Sequence, residues 1–204
     1  MKRIVIAICC LAAMTLNSCF IEDVKDESLS SQEISQCLQA VKGNYTGKIL
    51  FENHNPNDYS DIVDTLDISW CITADTLIVF DQFPQTVVLD RISEASVKEA
   101  LQAAAPAPLK SQFAFYKADP ISFLLYPYSV VYNIELNGEA HKAVLAFYVN
   151  TYSYGLFESI SRVFQMKFQI AGLYLDENAN HNYLTISAYD NTSIPIILTN
   201  SDLK

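Results

Sequence analysis

The sequence predicts an α+β domain in which a mostly antiparallel sheet is curled as a sandwich or partial, lipocalin-like barrel, with two short helices. Three observations predict it. Apolar and polar residues alternate with period two along most of the chain, the pattern of strands with one buried face. Only two segments show helical spacing. Turn residues lie close between successive strands, so the strands meet as antiparallel hairpins.

The elements follow in order. Residues 1–18 have the layout of a secretory signal: Lys2 and Arg3, then an uncharged apolar run from Ile4 to Met14. That run falls short of the about 20 apolar residues a membrane-spanning helix needs. Residues 19–30 are polar and acidic after Phe20 and Ile21, with Glu22, Asp23, Asp26 and Glu27, and read as a flexible tether. Residues 31–204 form one globular β-rich domain. It opens with a helix: Ser30 and Glu33 have capping-box spacing, Ile34, Cys37, Leu38 and Val41 make an apolar stripe, and Gly43 ends it.

Tyr45 to Phe51 is the first strand. Leu66, Ile68, Trp70 and Ile72 share a face of the next, which places Cys71 on the other face; Thr76 to Phe80 returns after Ala74-Asp75. Val97, Ala100, Leu101 and Ala104 mark the second helix, closed by Pro106 and Pro108. Tyr126, Tyr128, Val130, Tyr132, Ile134 and Leu136 read as one alternating strand. Asn137-Gly138 is the strongest hairpin turn, because both residues accept positive φ, and Ala143 to Val149 is the returning strand. Phe164 to Ile170 alternates again, 176–182 is a polar loop, Leu184, Ile186 and Ala188 alternate, and Ile194 to Leu198 is a last strand. The whole makes eight or nine strands.

Composition excludes some functions. Beyond residue 18 the chain carries 11 basic and 23 acidic residues. That balance argues against nucleic acid, whose phosphates need Lys and Arg, and against a peripheral role on anionic lipid. Glycine occurs five times, and no GxGxxG, P-loop, GxSxG or HExxH is present. His54, His141 and His181 are scattered in or beside loops and turns. Asp58, Asp61, Asp64 and Asp67 recur every third residue but run into a strand, where odd and even positions part. The acidic loop from Asp176 has His181 where a calcium loop has glycine and Ser187 where it has glutamate. No catalytic residue, metal ligand set or cofactor site is therefore expected, and the domain is expected not to be an enzyme.

Two kinds of residue remain. Cys37 and Cys71 lack CxxC spacing; in an oxidising compartment they can pair, or they stand as separate thiols. Of 24 aromatic residues, 13 lie between Phe113 and Phe164. Tyr126, Tyr128 and Tyr132 share one strand face and Tyr152 and Tyr154 another. They fill the core or its rim, or they form a stacking platform for a sugar or another flat ligand, or a protein-contact patch.

Leu16-Asn17-Ser18-Cys19 resembles the bacterial lipobox. The resemblance implies cleavage before Cys19 and acylation of that cysteine, and more than one acyl chain holds a protein stably at a membrane. Glu22-Asp23 soon after the cysteine resembles the surface-export signal of Bacteroidetes lipoproteins. With that leader, the segments Val41-Lys42-Gly43-Asn44-Tyr45-Thr46-Gly47-Lys48, Asp67-Ile68-Ser69-Trp70 and Ala146-Phe147-Tyr148 look like an uncharacterised family of Bacteroidetes lipoproteins. Tyr45-x-Gly47 also resembles the first strand of small lipocalin-like lipoproteins. These motifs are structural and imply no activity. They imply a bacterial outer-membrane lipoprotein, anchored through the lipid on Cys19 and facing the periplasm or the surface. The expected function is a non-catalytic binding or interaction module for a protein or small molecule. The alternative is a carrier of a small apolar ligand inside the curled sheet, and an enzyme with no recognisable motif stands behind both.

Overall fold

The computed structural model describes residues 28–54, 61–176, 178–185 and 194–200. The signal segment, Cys19, most of the tether, Asp58 and the Ile186/Ala188 alternation lie outside them.

Helix α1 (Ser31–Val41) begins where the sequence places it. The Ser30 hydroxyl accepts the Glu33 amide N–H, and the Glu33 carboxylate accepts the Ser30 amide N–H. The box thus satisfies two of the amides that every helix start leaves unpaired. Cys37 and Val41 are buried, whereas Ile34 is left exposed at the outer end.

Strand β1 (Gly43–His54) pairs antiparallel with β2 (Asp61–Ile72) along its whole length, from Gly43↔Ile72 to His54↔Asp61. Both strands run longer than their apolar alternation, because backbone pairing continues past the last core residue. Strand β3 (Leu77–Phe83) completes the hairpin that turns at Ala74-Asp75. A 3₁₀ segment (Gln85–Arg91), which the sequence reading misses, precedes α2 (Ala95–Gln102). Its buried Val87, Val88 and Leu89 are consecutive, so no helical period shows.

Strands β4 (Ala107–Ala118) and β5 (Ile121–Pro127) form the next hairpin, followed by β6 (Val130–Leu136) and β7 (Glu139–Tyr148). Here the single strand expected over 126–136 is corrected to two. Pro127 has no amide to donate, the Tyr128 amide bonds back to the Lys110 carbonyl, and the chain turns a corner at Tyr128-Ser129. The Asn137-Gly138 turn is as expected, with φ of 55° and 83°. Then come β8 (Asn150–Glu158), β9 (Val163–Leu175) and β10 (Ile194–Thr199).

The strand order is β10-β1-β2-β3-β4-β5-β8-β9, and β9 pairs back onto β10. Eight antiparallel strands therefore close a barrel, which leaves none of the eight as a sheet edge. The sequence expectation of a partial barrel becomes a closed one. The β6–β7 hairpin continues the sheet from the far half of β9, where β7 pairs from Ala143↔Leu175 to Tyr148↔Gln169. Its inner face, with Val130, Tyr132, Ile134 and Leu145, is buried on the side of α2 and β4.

The barrel interior is filled with rings. Tyr45 stacks on Trp70 at 5.7 Å between centroids and meets Phe164 edge-on at 4.6 Å. Phe80 meets Phe168 at 5.8 Å, and Phe157 lies 4.4 Å from Phe164. Such offset and edge contacts add about 0.5–1.5 kcal/mol per pair beyond area burial. Tyr132 is buried too, and its hydroxyl donates to the Phe83 carbonyl at 3.2 Å. Burial pushes that hydroxyl far above the usual phenol range, so it stays a neutral donor.

Gly155 supplies the space that one ring needs. A Cβ there would sit 2.2 Å from Cε2 of Phe123, a side chain wholly buried and unable to withdraw. Gly155→Ala should lower unfolding free energy in urea by about 1–3 kcal/mol, the usual range for overpacking. Adding Phe123→Leu should recover part of the loss; unaltered stability of the single variant would refute this account of the packing.

Candidate functional site

Strand alternation distributes the tyrosines. On β8 the odd positions Ser153, Gly155 and Phe157 face inward and are buried, so Tyr152, Tyr154 and Leu156 face outward. On β5, Phe123 and Leu125 face in, and Leu124 and Tyr126 face out. The register aligns Leu124 with Tyr154, and Tyr154 with Lys167 of β9. On β4, the alternation that exposes Lys110, Gln112 and Ala114 turns Tyr116 outward at 54% exposure, and the irregularity between Phe115 and Lys117 exposes Lys117 beside it. Tyr148, at the end of β7, has its ring 5.3 Å from that of Tyr152.

The result is a wall on the outside of the barrel, across β4, β5, β8 and β9. Tyr152 stands 60% exposed near its centre, and Tyr154 is half-buried beside it. The Lys167 ammonium lies 5.8 Å from the centroid of the Tyr154 ring. A cation over a ring face is attracted by the ring's quadrupole, worth about 0.5–1 kcal/mol when exposed. Burial pushes the Lys167 amine below its ordinary range. Burial also pushes the Tyr154 hydroxyl up, with Tyr116 adding to the effect.

Of the five tyrosines singled out from sequence, the wall gathers Tyr126, Tyr152 and Tyr154. Tyr128 is exposed at the corner beyond β5, beside Lys110. Tyr132 points into the core and is removed from any outer surface, because β6 starts after the corner that the alternation concealed. Tyr116, Tyr148 and Lys167 belong to the wall and escape the sequence reading. Alternation along β4 exposes the first, a local signal that the sequence reading passes over; cross-strand register brings in the other two and leaves no local signal.

The other candidates fall elsewhere. Cys37 is buried in α1 and Cys71 lies on the outer face of β2; the structure holds them as separate thiols. Burial raises the Cys37 thiol above its ordinary range, which keeps it protonated and unreactive. His141 contacts the Asp176 carboxylate at 2.6 Å, and Asp176 also accepts the Lys142 amide. These bonds hold the Asp176 carboxyl below its usual range, the amide being the larger cause. His181 lies 3.2 Å from Glu94.

Two clefts open on the outside. A groove of about 1110 Å³ over β1, β2 and β3 is lined by polar side chains including Asn44, Thr46, Ser69 and Asp81. A smaller cleft of about 320 Å³ at the barrel mouth holds Arg91 and Lys98, already paired with Glu52 and Asp90. Among the described residues no cluster of three metal-ligating side chains occurs, and no helix is long and apolar enough to cross a membrane.

One hydroxyl holds the wall in place. Ser153, fully buried, donates to the Tyr148 carbonyl and accepts the Gln169 amide N–H at 3.0 Å. Ser153→Ala leaves both backbone groups buried and unpaired, which costs about 1–3 kcal/mol. Hydrogen exchange at Gln169 should accelerate in that variant while exchange in β1 and β2 is unchanged. Unaltered exchange at Gln169 would mean the junction is held by other contacts.

Residues 40–175 match the model of a family described as a domain of unknown function, DUF4840. No curated protein and no solved structure matches the chain. The matched span runs from the end of α1 to the end of β9, taking in the wall strands β4, β5, β8 and nearly all of the barrel. The chain belongs to the DUF4840 family.

Proposed function

We propose that this protein is a non-catalytic binding module of the bacterial envelope, held at the outer membrane through lipid on Cys19, with the tyrosine wall as its contact surface. The observation that carries the reading is the outward placement of Tyr116, Tyr148 and Tyr152 on one face of a rigid barrel. Exposed rings present apolar area to water, and a soluble domain keeps few of them together without a use. Tyrosine suits a contact surface because a stiff apolar ring ends in one polar tip. A barrel wall also fixes the rings in place before any partner arrives, which reduces the ordering cost of binding. Support for the anchor comes from the sequence, in the charged start, apolar run and Leu16-Asn17-Ser18-Cys19.

The alternative, an apolar ligand carried in the lumen, has the barrel shape in its favour. The packing of Tyr45, Trp70, Phe80, Phe164 and Phe168 in that lumen favours the wall instead.

Two measurements test the proposal. Intact mass of the protein from its native membrane should show loss of residues 1–18 and gain of acyl chains, and Cys19→Ala should abolish both. An unacylated, soluble product from the unaltered chain would sink the anchor. Tyrosine-directed chemical footprinting should then find Tyr148 and Tyr152 protected on intact cells relative to purified protein. Equal labelling in both would sink the wall as a contact surface.

A further inference from the structure

We infer that the wall binds an acidic polysaccharide, a chain of sugar residues carrying carboxylates, laid along its tyrosines. The inference rests on reading the wall as the contact surface and names what it contacts.

Charge is the first argument. The chain as a whole is acidic, with a net charge of −10. The wall is not. From β4 to β9 its outward positions carry Lys110, Lys117 and Lys167, and none of the three makes a salt bridge among the described residues. Acids stand at its borders: Asp81 on β3 beside β4, Asp119 in the β4–β5 turn, and Glu158 at the foot of β8, where the Glu158 carboxylate accepts the Ile160 amide. Lys42, Lys142 and Arg162 also lack a salt bridge among the described residues and lie off the wall; the three lysines that stand beside exposed tyrosines make this face complementary to an anion.

The second argument is the shape and chemistry of the face. It is an open wall with no enclosing rim, which fits an extended chain rather than a single small molecule. Tyr152 and Tyr154 stand two residues apart on one strand, about 7 Å. Each ring can therefore take the apolar C–H face of a different sugar unit. Amides and hydroxyls border the rings at Gln112, Asn150, Thr151 and Gln165.

The third is an unsatisfied donor. Gln169 lies opposite Tyr148 in the sheet and is 1% exposed, yet its side-chain nitrogen has no hydrogen-bond partner among the described residues. A buried donor without an acceptor is rare in folded proteins. Gln169 thus keeps an unused donor beneath the wall, opposite Tyr148.

The test uses the full chain, purified in detergent, in affinity electrophoresis through gels containing polygalacturonate or, as an uncharged control, dextran. Polygalacturonate should retard the protein and dextran should not, and added salt should weaken the retardation. Tyr152→Ala, at a site too exposed to affect folding, should raise the apparent Kd about tenfold. Lys167→Gln should raise it roughly fivefold. Equal retardation by dextran, or retardation that survives both substitutions, overturns the inference. So does a concentration-dependent dimer abolished by Tyr152→Ala, which would make a second copy the occupant. If polygalacturonate fails while Tyr148 and Tyr152 are protected on cells, the glycan is overturned and the wall stands, with an acidic protein as its partner. If both fail, the wall is not a binding surface.

Discussion

Strand β9 shares its backbone among three partners, and the rest of the fold depends on that sharing. One edge pairs with β10 and closes the barrel. The other edge is divided: β8 takes Val163 to Lys167, and β7 takes Gln169 to Leu175. Thirteen residues are needed for this, and β9 is the longest strand described. Where one neighbour hands over to the other, two chain ends and one edge meet with backbone groups that the ladder cannot pair. The Ser153 hydroxyl serves as both donor and acceptor there. A buried unpaired carbonyl or amide is expensive, so the handover requires such a group.

The handover also makes the surface. β8 runs on in the direction of β7 along the same edge of β9, and between the pairs Tyr148↔Gln169 and Tyr154↔Lys167 the chain bulges out at Asn150, a residue with φ of 60°. Tyr148 and Tyr152 are thereby brought ring to ring from different strands. On β8 the same alternation sends Phe157 inward and Tyr154 outward. The difference is physical: an inward ring has to do without water, and a phenol must find a partner there, as Tyr132 does with Phe83. The core therefore uses phenylalanine where no acceptor is at hand, and the wall uses tyrosine.

Charge is distributed with equal consequence. Net acidity keeps the chain soluble and says little about recognition. Its placement says more. Around the barrel mouth and on β1 and β2, Arg91, Lys98 and Lys48 are each matched to a carboxylate. The lysines of the wall are not so matched, and Lys167 lies along a tyrosine ring instead. Unmatched lysines beside exposed rings give the proposed recognition surface its sign.

Much of the fold was legible in the residues. The capping box at Ser30 and Glu33, the Asn137-Gly138 turn and the Leu66-to-Ile72 alternation are local, decided by neighbours a few positions away, and the structure follows them. The 3₁₀ segment was not legible, because three consecutive buried residues carry no period. Nor was the corner at Tyr128, because even positions are aromatic or apolar on both sides of it, although the buried parity changes from odd on β5 to even on β6. The tyrosines as a class stood out in the sequence, but their sorting did not. Tyr132 goes inward, Tyr154 outward, Tyr116 joins the wall by alternation along β4, and Tyr148 and Lys167 join it through cross-strand register. The sequence by itself determined β1 to β3, the β6–β7 turn, the core of β9 and the aromatic supply, since those depend on local periodicity, while β4 and most of β5 went unread. Only the tertiary structure decided that eight strands close, that the lumen is filled and that one wall is tyrosine-rich and cationic. Those facts depend on which distant strands pair, and pairing is a contest among whole-chain contacts that no short window of residues contains.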